Sequence, residues 1–199
     1  IVAPTGIAAL NAGGVTIHSQ FMLPFGSFLA APVSGQENMT SRFYTQRELA
    51  VRHSLNAARK KVLRHIDLLI IDEVSMLRAD VLDAMDYRLK SARGNYNQSF
   101  GGVQLLMIGD LHQLPPIVKD DEWRYLNQLY RSPHFFEALA LKQGFTYIEL
   151  DKIFRQQDSR FIDILNALRN NRCTHEHLQK LNEHYQRDPK AEEGTITLT

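Results

Sequence analysis

The amino-acid sequence predicts an α/β domain built on a mainly parallel sheet, and three observations carry the prediction. Two short apolar runs, Leu68 to Ile71 and Val103 to Ile108, have the length and continuity of strands buried on both faces. A helical stripe, Val81, Leu82, Met85 and Leu89, lies between them at steps of one, three and four, predicting a helix over 79–90. Each run also ends in acid, Asp72-Glu73 after the first and Gly109-Asp110 after the second. Strands alternating with helices at this spacing give parallel sheets, whose ligands bind outside the carboxyl ends of the strands.

Size and composition agree with a folded domain. The chain has 199 residues, 44% of them apolar and 23% charged, enough to bury a core without structural bridges. Its single cysteine, Cys173, has no internal partner and reads as a reduced intracellular thiol. No Cys/His cluster has the four ligands of a structural zinc site, and no apolar run is long enough to span a bilayer. A net charge of +1 gives no global sign of a polyanionic partner.

Taken in order, Ile1 to Gly6 reads as the last residues of a buried strand entering a loop, so an upstream element is expected. Residues 21–41 are rich in Phe, Pro, Gly and Ser without a clean period, which suggests an excursion or a small insertion over 22–45. From Arg42 to Arg64 there are seven Lys or Arg against one acid, Glu48. Val51, Leu55, Ala58, Val62 and Ile66 supply an apolar stripe there, predicting a basic amphipathic helix that is either a solvated face or a phosphate-facing one. The strand ending at Ile71, the helix 79–90, a polar turn at 93–97 and the strand 103–108 follow. Phe145 to Leu150 is a third candidate strand. Two helical stripes come after it, Phe161, Ile164, Leu165 and Leu168, then Leu178, Leu181 and Tyr185, read as the start of a second domain. Domains at 1–154 and 155–199 are expected, the chain being the middle of a longer protein.

The paired acids carry the chemistry. A nucleotide hydrolase needs at a strand end one carboxylate for Mg²⁺ and a second that orients and deprotonates the attacking water, which Asp72 and Glu73 supply in order. An Asp-Glu pair also occurs as a plain turn and helix cap, so the loop Gly109 to Pro116 weighs in the choice. It places Gln113 a few residues past the neighbouring strand end, and Pro115-Pro116 stiffens its attachment.

These residues carry a resemblance. Ala3-Pro4-Thr5-Gly6-Ile7-Ala8-Ala9, Thr16 to Phe21, Ile70 to Leu77, Gly109 to Pro116 and Leu150 to Gln156 resemble motifs Ia, Ib, II, III and IV of superfamily 1 helicases, in order. The nearest likeness is to the petite integration frequency family, superfamily 1B and related to RecD. The stretch from Asp86 to Leu106 resembles the signature that separates the two. The resemblance implies a RecA-like, P-loop-type sheet flanked by helices, incomplete at its N-terminus and followed by the start of a second RecA-like domain. It implies ATP and Mg²⁺ as cofactors, with Asp72 serving the metal, Glu73 as catalytic base, Gln113 as γ-phosphate sensor and Arg155 reaching the γ-phosphate from across the cleft.

The resemblance further implies that Pro4, Thr5, Gly6, His18, Ser19 and Phe21 line a single-stranded DNA path, with amides and hydroxyls on phosphates and flat rings on bases, while the residues alone also allow Thr5 as a helix cap and Phe21 in the core. The expected activity is that of an ATP-dependent DNA helicase moving 5′ to 3′ in replication, repair, recombination or telomere maintenance. It would work on single strands and duplex junctions as an intracellular monomer, cytoplasmic in a bacterium, nuclear or mitochondrial in a eukaryote. The alternative is a nucleotide-independent nucleic-acid-binding remnant. One departure stands out: no glycine in the chain is followed by lysine, so there is no Walker A loop, and motifs V and VI are absent too. The 199 residues alone are therefore expected not to hydrolyse ATP, and the parent protein to do so.

Overall fold

The computed structural model describes residues 1–35, 42–154, 158–183 and 185. The chain divides into two compact units, Ile1–Thr146 and Tyr147–Thr199.

The first unit is organised by a four-stranded parallel sheet. Its strands are β1 (Val2–Ala3), β2 (Val15–Thr16), β5 (Leu68–Ile71) and β6 (Gln104–Met107), in the order β2-β1-β5-β6. Val2 pairs with Val15 on one side and Ile71 on the other, and Ile71 pairs with Met107. Because all four run the same way, their carboxyl ends share one edge, as the sequence predicts. Leu69 and Ile71 are buried and join the core, whereas Leu68 and Leu106 are 48% and 46% exposed. The expectation of strands buried on both faces is thus met on one face only, since no described element covers the other at these residues.

Short helices connect the strands: α1 (Gly6–Asn11) between β1 and β2, and α2 (Ile17–Phe21) directly after β2. Thr5 and Thr16 cap them, accepting hydrogen bonds from the amides of Ala8 at 3.2 Å and Ser19 at 3.3 Å. The segment read as an excursion contains a second, two-stranded parallel sheet of β3 (Ser27–Leu29) and β4 (Phe43–Thr45). Phe28, Leu29 and Tyr44 belong to the main core, so this ribbon is anchored in it.

The single basic helix read over 42–64 is instead β4 followed by two helices, α3 (Gln46–Val51) and α4 (Ala57–Arg64). Thr45 and Glu48 form a capping box that starts α3, and Asn56 accepts from the Arg59 amide at 2.8 Å to start α4. The break rotates the register. Val51 and Val62, taken as core-facing, are 72% and 49% exposed, and Leu49 and Leu63 are buried in their place.

The helix α5 (Ala79–Arg93) agrees with its reading. Val81, Leu82, Met85 and Leu89 are all buried, and Gly94 closes it in the left-handed conformation. Its polar residues do more than the stripe foretells. Asp80, Asp83 and Asp86, at three-residue spacing, each accept a backbone amide from a different segment: Phe28 of β3 at 2.9 Å, Leu139 and Ala140 at 3.0 and 2.8 Å, and Phe100. Arg88, also buried, donates to the carbonyls of Met22, Leu49 and His53, closing the ends of α2 and α3. Burial lowers its pKa. α6 (Asp120–Leu126) is the last described α-helix of this unit, and short 3-10 turns follow at Phe135–Glu137 and Leu139–Leu141.

Phe145 to Leu150 is not a strand. Tyr147, Ile148 and Leu150 are 71%, 77% and 88% exposed, and among the described residues no strand lies beside them to complete a ladder. The second unit carries α7 (Ser159–Arg169), capped by Asp158, and α8 (His175–Asn182), capped by Thr174. Of its expected stripe residues Ile164 is buried, while Phe161, Leu165, Leu168 and Leu178 are between 38% and 47% exposed. Cys173 is a free thiol. Among the described residues no helix is long and apolar enough to cross a membrane.

Candidate active site and nucleic-acid face

The carboxyl edge is built by hydrogen bonds that continue the sheet beyond its strands. The Asp72 amide donates to Val2 O at 2.9 Å, the Ile108 amide to Ile71 O at 2.8 Å, and the Val74 amide back to Ile108 O at 2.9 Å. The turn carrying Asp72-Glu73 is therefore stitched to both neighbouring strand ends. Gly109 is needed for that closeness, because a Cβ there would stand 2.9 Å from the Val74 nitrogen.

Within the turn, Glu73 has φ 52 and ψ 43, a left-handed conformation uncommon for a residue with a side chain. Its amide donates to Asp72 Oδ1 at 3.0 Å, and its carbonyl accepts from Met76 at 3.1 Å. Strain of this kind persists where the surroundings over-determine it, and it concentrates at functional sites. Both side chains are partly exposed, and among the described residues neither the Glu73 carboxylate nor Asp72 Oδ2 has a partner. Two adjacent carboxylates offer hard oxygen donors, the type Mg²⁺ takes, so the pair fits that ion. Among the described residues no cluster of three or more metal-binding side chains occurs, so water and phosphate oxygens would fill the remaining positions.

Gln113 sits on the adjoining loop. Asp110 organises it, accepting from the amide of His112 at 3.0 Å and from the Gln113 side-chain amide at 3.4 Å, while its carbonyl accepts from the Gln113 amide at 3.0 Å. Pro115 is exposed and Pro116 buried, so the second proline anchors the loop. The fold brings Thr5, Asp72, Glu73 and Gln113 to one edge. Arg155 lies outside the described residues.

The residues read as a DNA path follow β1 and β2 at the same edge. Pro4, Thr5 and His18 are partly exposed, and Gly6 and Ser19 are exposed. Phe21 is a correction: its ring is fully buried in the core, so it has no face for a base. The exposed aromatic is Phe25, 90% exposed and stacked on His18 with ring centroids 5.5 Å apart and planes at 21°. Gly26 makes this placement possible, since its φ of 135° and the Arg42 carbonyl leave no room for a Cβ. The sequence does hold a signal for Phe25: an aromatic between Pro24 and Gly26, in a loop with no apolar period to bury it. The His18 pKa is lowered, first by burial and then by the Arg78 guanidinium, with Asp80 opposing.

Behind these rings lies a buried polar cluster. Arg78 donates to both oxygens of Asp80 at 2.8 and 2.9 Å, to Ser27 Oγ at 2.6 Å and to Glu122 at 3.3 Å. It joins the ribbon near Phe25 to α6, the helix that follows the Gln113 loop.

Comparison with known proteins is consistent across sequence and structure. The family model for PIF1-like helicases matches residues 1–179. The ATP-dependent DNA helicase PIF1 of Saccharomyces cerevisiae is 38% identical over 172 residues, covering 85% of this chain and 17% of the relative. Its human counterpart is 33% identical over 182 residues, covering 90% of this chain and 24% of the relative. The crystal structure of a Bacteroides Pif1 bound to single-stranded DNA superposes with a TM-score of 0.80 at 40% identity, covering 98% of this chain and 42% of that one. A second, in complex with ADP-AlF3 and single-stranded DNA, gives a TM-score of 0.79 at 40% identity, covering 97% and 41%. The chain thus spans about a fifth of the length of these curated relatives.

Proposed function

The chain belongs to the PIF1-like helicase family, and from that premise we propose that it is the central part of an ATP-dependent DNA helicase that moves along single-stranded DNA and opens duplexes. The unit Ile1–Thr146 is the body of the first RecA-like motor domain, and α7 and α8 open the second. The observation that carries this reading is the stitched edge, where Asp72-Glu73 and the Gln113 loop are joined through the Val74 to Ile108 hydrogen bond.

In the proposed mechanism Glu73 accepts the proton of the attacking water, its partly exposed carboxylate carried on the left-handed turn at the strand end. Gln113 hydrogen-bonds that water or the γ-phosphate, and the loop it belongs to registers the loss of the phosphate. Asp72 would hold Mg²⁺, which supplies charge neutralisation on the phosphates when bound. Arg155 is assigned to the γ-phosphate by resemblance alone. Single-stranded DNA passes over Pro4, Thr5, Gly6, His18 and Ser19, with the His18–Phe25 pair as its stacking platform. Such a protein works inside the cell, as a monomer on its DNA track. A nucleotide-independent remnant would have no use for Asp72, Glu73 and Gln113 gathered at one strand edge.

The test is Glu73→Gln in the full-length protein. ATP binding is expected to persist, while DNA-stimulated phosphate release falls by roughly 10²–10⁴-fold, the size of a lost general base. An equal loss of nucleotide affinity and turnover would contradict the role of Glu73.

A further inference from the structure

The basic stretch that the motifs leave unexplained is resolved by the structure into engaged and unengaged cations. Arg42 faces Asp121 at 3.6 Å, Arg52 faces Glu48 at 3.6 Å, and Arg59 donates to Gln20 Oε1 of α2 at 3.0 Å. Arg64 donates through Nε to Ala92 O at 3.1 Å. Among the described residues, Arg47 of α3 and Lys60 and Lys61 of α4 have no partner, and all three are exposed, the two lysines being adjacent. At 3.6 residues per turn, Lys60, Lys61 and Arg64 fall within roughly 100° of arc, centred roughly 110° from the buried Leu63.

A solvated helix face ordinarily interleaves acids with its lysines, and other helices of this chain do so. Lys90 pairs with Asp86 at 2.7 Å and Lys180 with Glu176 at 2.8 Å, each one turn apart. No acid occurs between Glu48 and Asp67. α4 instead places Lys60 one turn from Arg64, a like-charge arrangement that destabilises an isolated helix. The helix C-terminus accounts for Lys61 and Arg64, whose charges suit its negative end, but Lys60 lies further from that end.

We propose that α4 is a phosphate-contacting surface for the duplex part of the DNA substrate, distinct from the single-strand path. This rests on the reading of the chain as part of a DNA helicase. Two features choose duplex over single strand. Single-strand grooves combine basic residues with aromatic platforms, and no Phe, Tyr or Trp occurs from residue 45 to residue 86. Duplex contact needs only cations that displace counterions from the backbone, which a short rigid helix with adjacent free lysines provides. The Arg59 to Gln20 bond fixes α4 against α2, so the surface adjoins the strand path and can reach the arm of a fork.

The test is the double variant Lys60→Ala/Lys61→Ala in the full-length protein, with Lys60→Arg/Lys61→Arg as the charge-conserving control. Affinity is measured against salt for a blunt duplex and for a single strand of the same length, alongside single-strand-stimulated ATP hydrolysis. With two phosphates no longer neutralised, the log–log salt slope on duplex should become less negative by about 1.8, with at least roughly tenfold weaker binding at low salt. Single-strand affinity and hydrolysis should stay at wild-type values, and the arginine control should bind as wild type. An unchanged duplex slope would overturn the proposal, as would an equal loss on both DNAs, which would make α4 part of the single-strand path. A wild-type protein that neither binds single strands nor hydrolyses ATP would overturn the helicase reading itself, a separate outcome.

Discussion

The carboxylates of α5 and those at the end of β5 make a natural comparison, because the sequence writes them in the same letters and the fold uses them in opposite ways. Asp80, Asp83 and Asp86 are buried, and each is bound to backbone amides of another segment and to a side chain: Arg78, Tyr130 and Lys90 in turn. Asp72 and Glu73 stand partly exposed in a strained turn, and among the described residues the Glu73 carboxylate and Asp72 Oδ2 have no partner. Acids of the first kind hold segments together and have nothing left for a ligand. Those of the second kind contribute little to holding the fold and are available for chemistry.

Breaking this contrast on the structural side should give the largest effect. Asp80→Ala leaves Arg78 buried with Glu122 as its remaining charge partner and removes the acceptor of the Phe28 amide. A loss of about 3–5 kcal/mol of stability is expected in denaturant unfolding, against a change within about 0.5 kcal/mol for Glu73→Gln. Equal destabilisation by both variants would erase the distinction.

A smaller effect sharpens it at the nucleic-acid face. Phe25→Ala removes a ring that is 90% exposed, so stability should hold while single-strand affinity falls by about 1–3 kcal/mol, the usual worth of one stacked base. Titration of single-stranded DNA by fluorescence anisotropy reads this directly. Phe21→Ala would do the reverse, because Phe21 is core.

The smallest effect concerns pH. The folded protein holds the His18 pKa below 6.5, so between that value and the folded one the unfolded chain takes up a proton that the native protein refuses. Stability from neutral His18 is therefore full above 6.5 and declines as pH falls through the folded pKa. Thermal unfolding from about pH 7 to about pH 5 should show a shallower decline in His18→Asn than in wild type.

Much of the fold and of the site is legible from residues alone, and the failures have physical causes. The runs ending at Ile71 and Ile108 and the stripe of α5 are readable because period and length agree. The shared placement of Asp72, Glu73 and Gln113 is readable because each sits a fixed step past a strand. The basic helix misleads because an apolar period continues numerically through the break at Asn56, which caps a new helix and resets the facing residues. Phe145 to Leu150 fails because strand composition makes no strand without a neighbour. Phe21 departs from its expected place for a simpler reason: an aromatic's type does not say which side of a turn it faces, and the exposed ring is that of Phe25. The ladder of Asp80, Asp83 and Asp86 is invisible, since charge in a sequence signals surface and only tertiary partners make it core.

Gly109 carries a consequence for variation among relatives. It supplies no side-chain functional group, yet a methyl there would press on the Val74 and Ser75 amides and push the Glu73 turn away from the Gln113 loop. A glycine required at this strand end therefore reflects the distance between two loops rather than participation in chemistry.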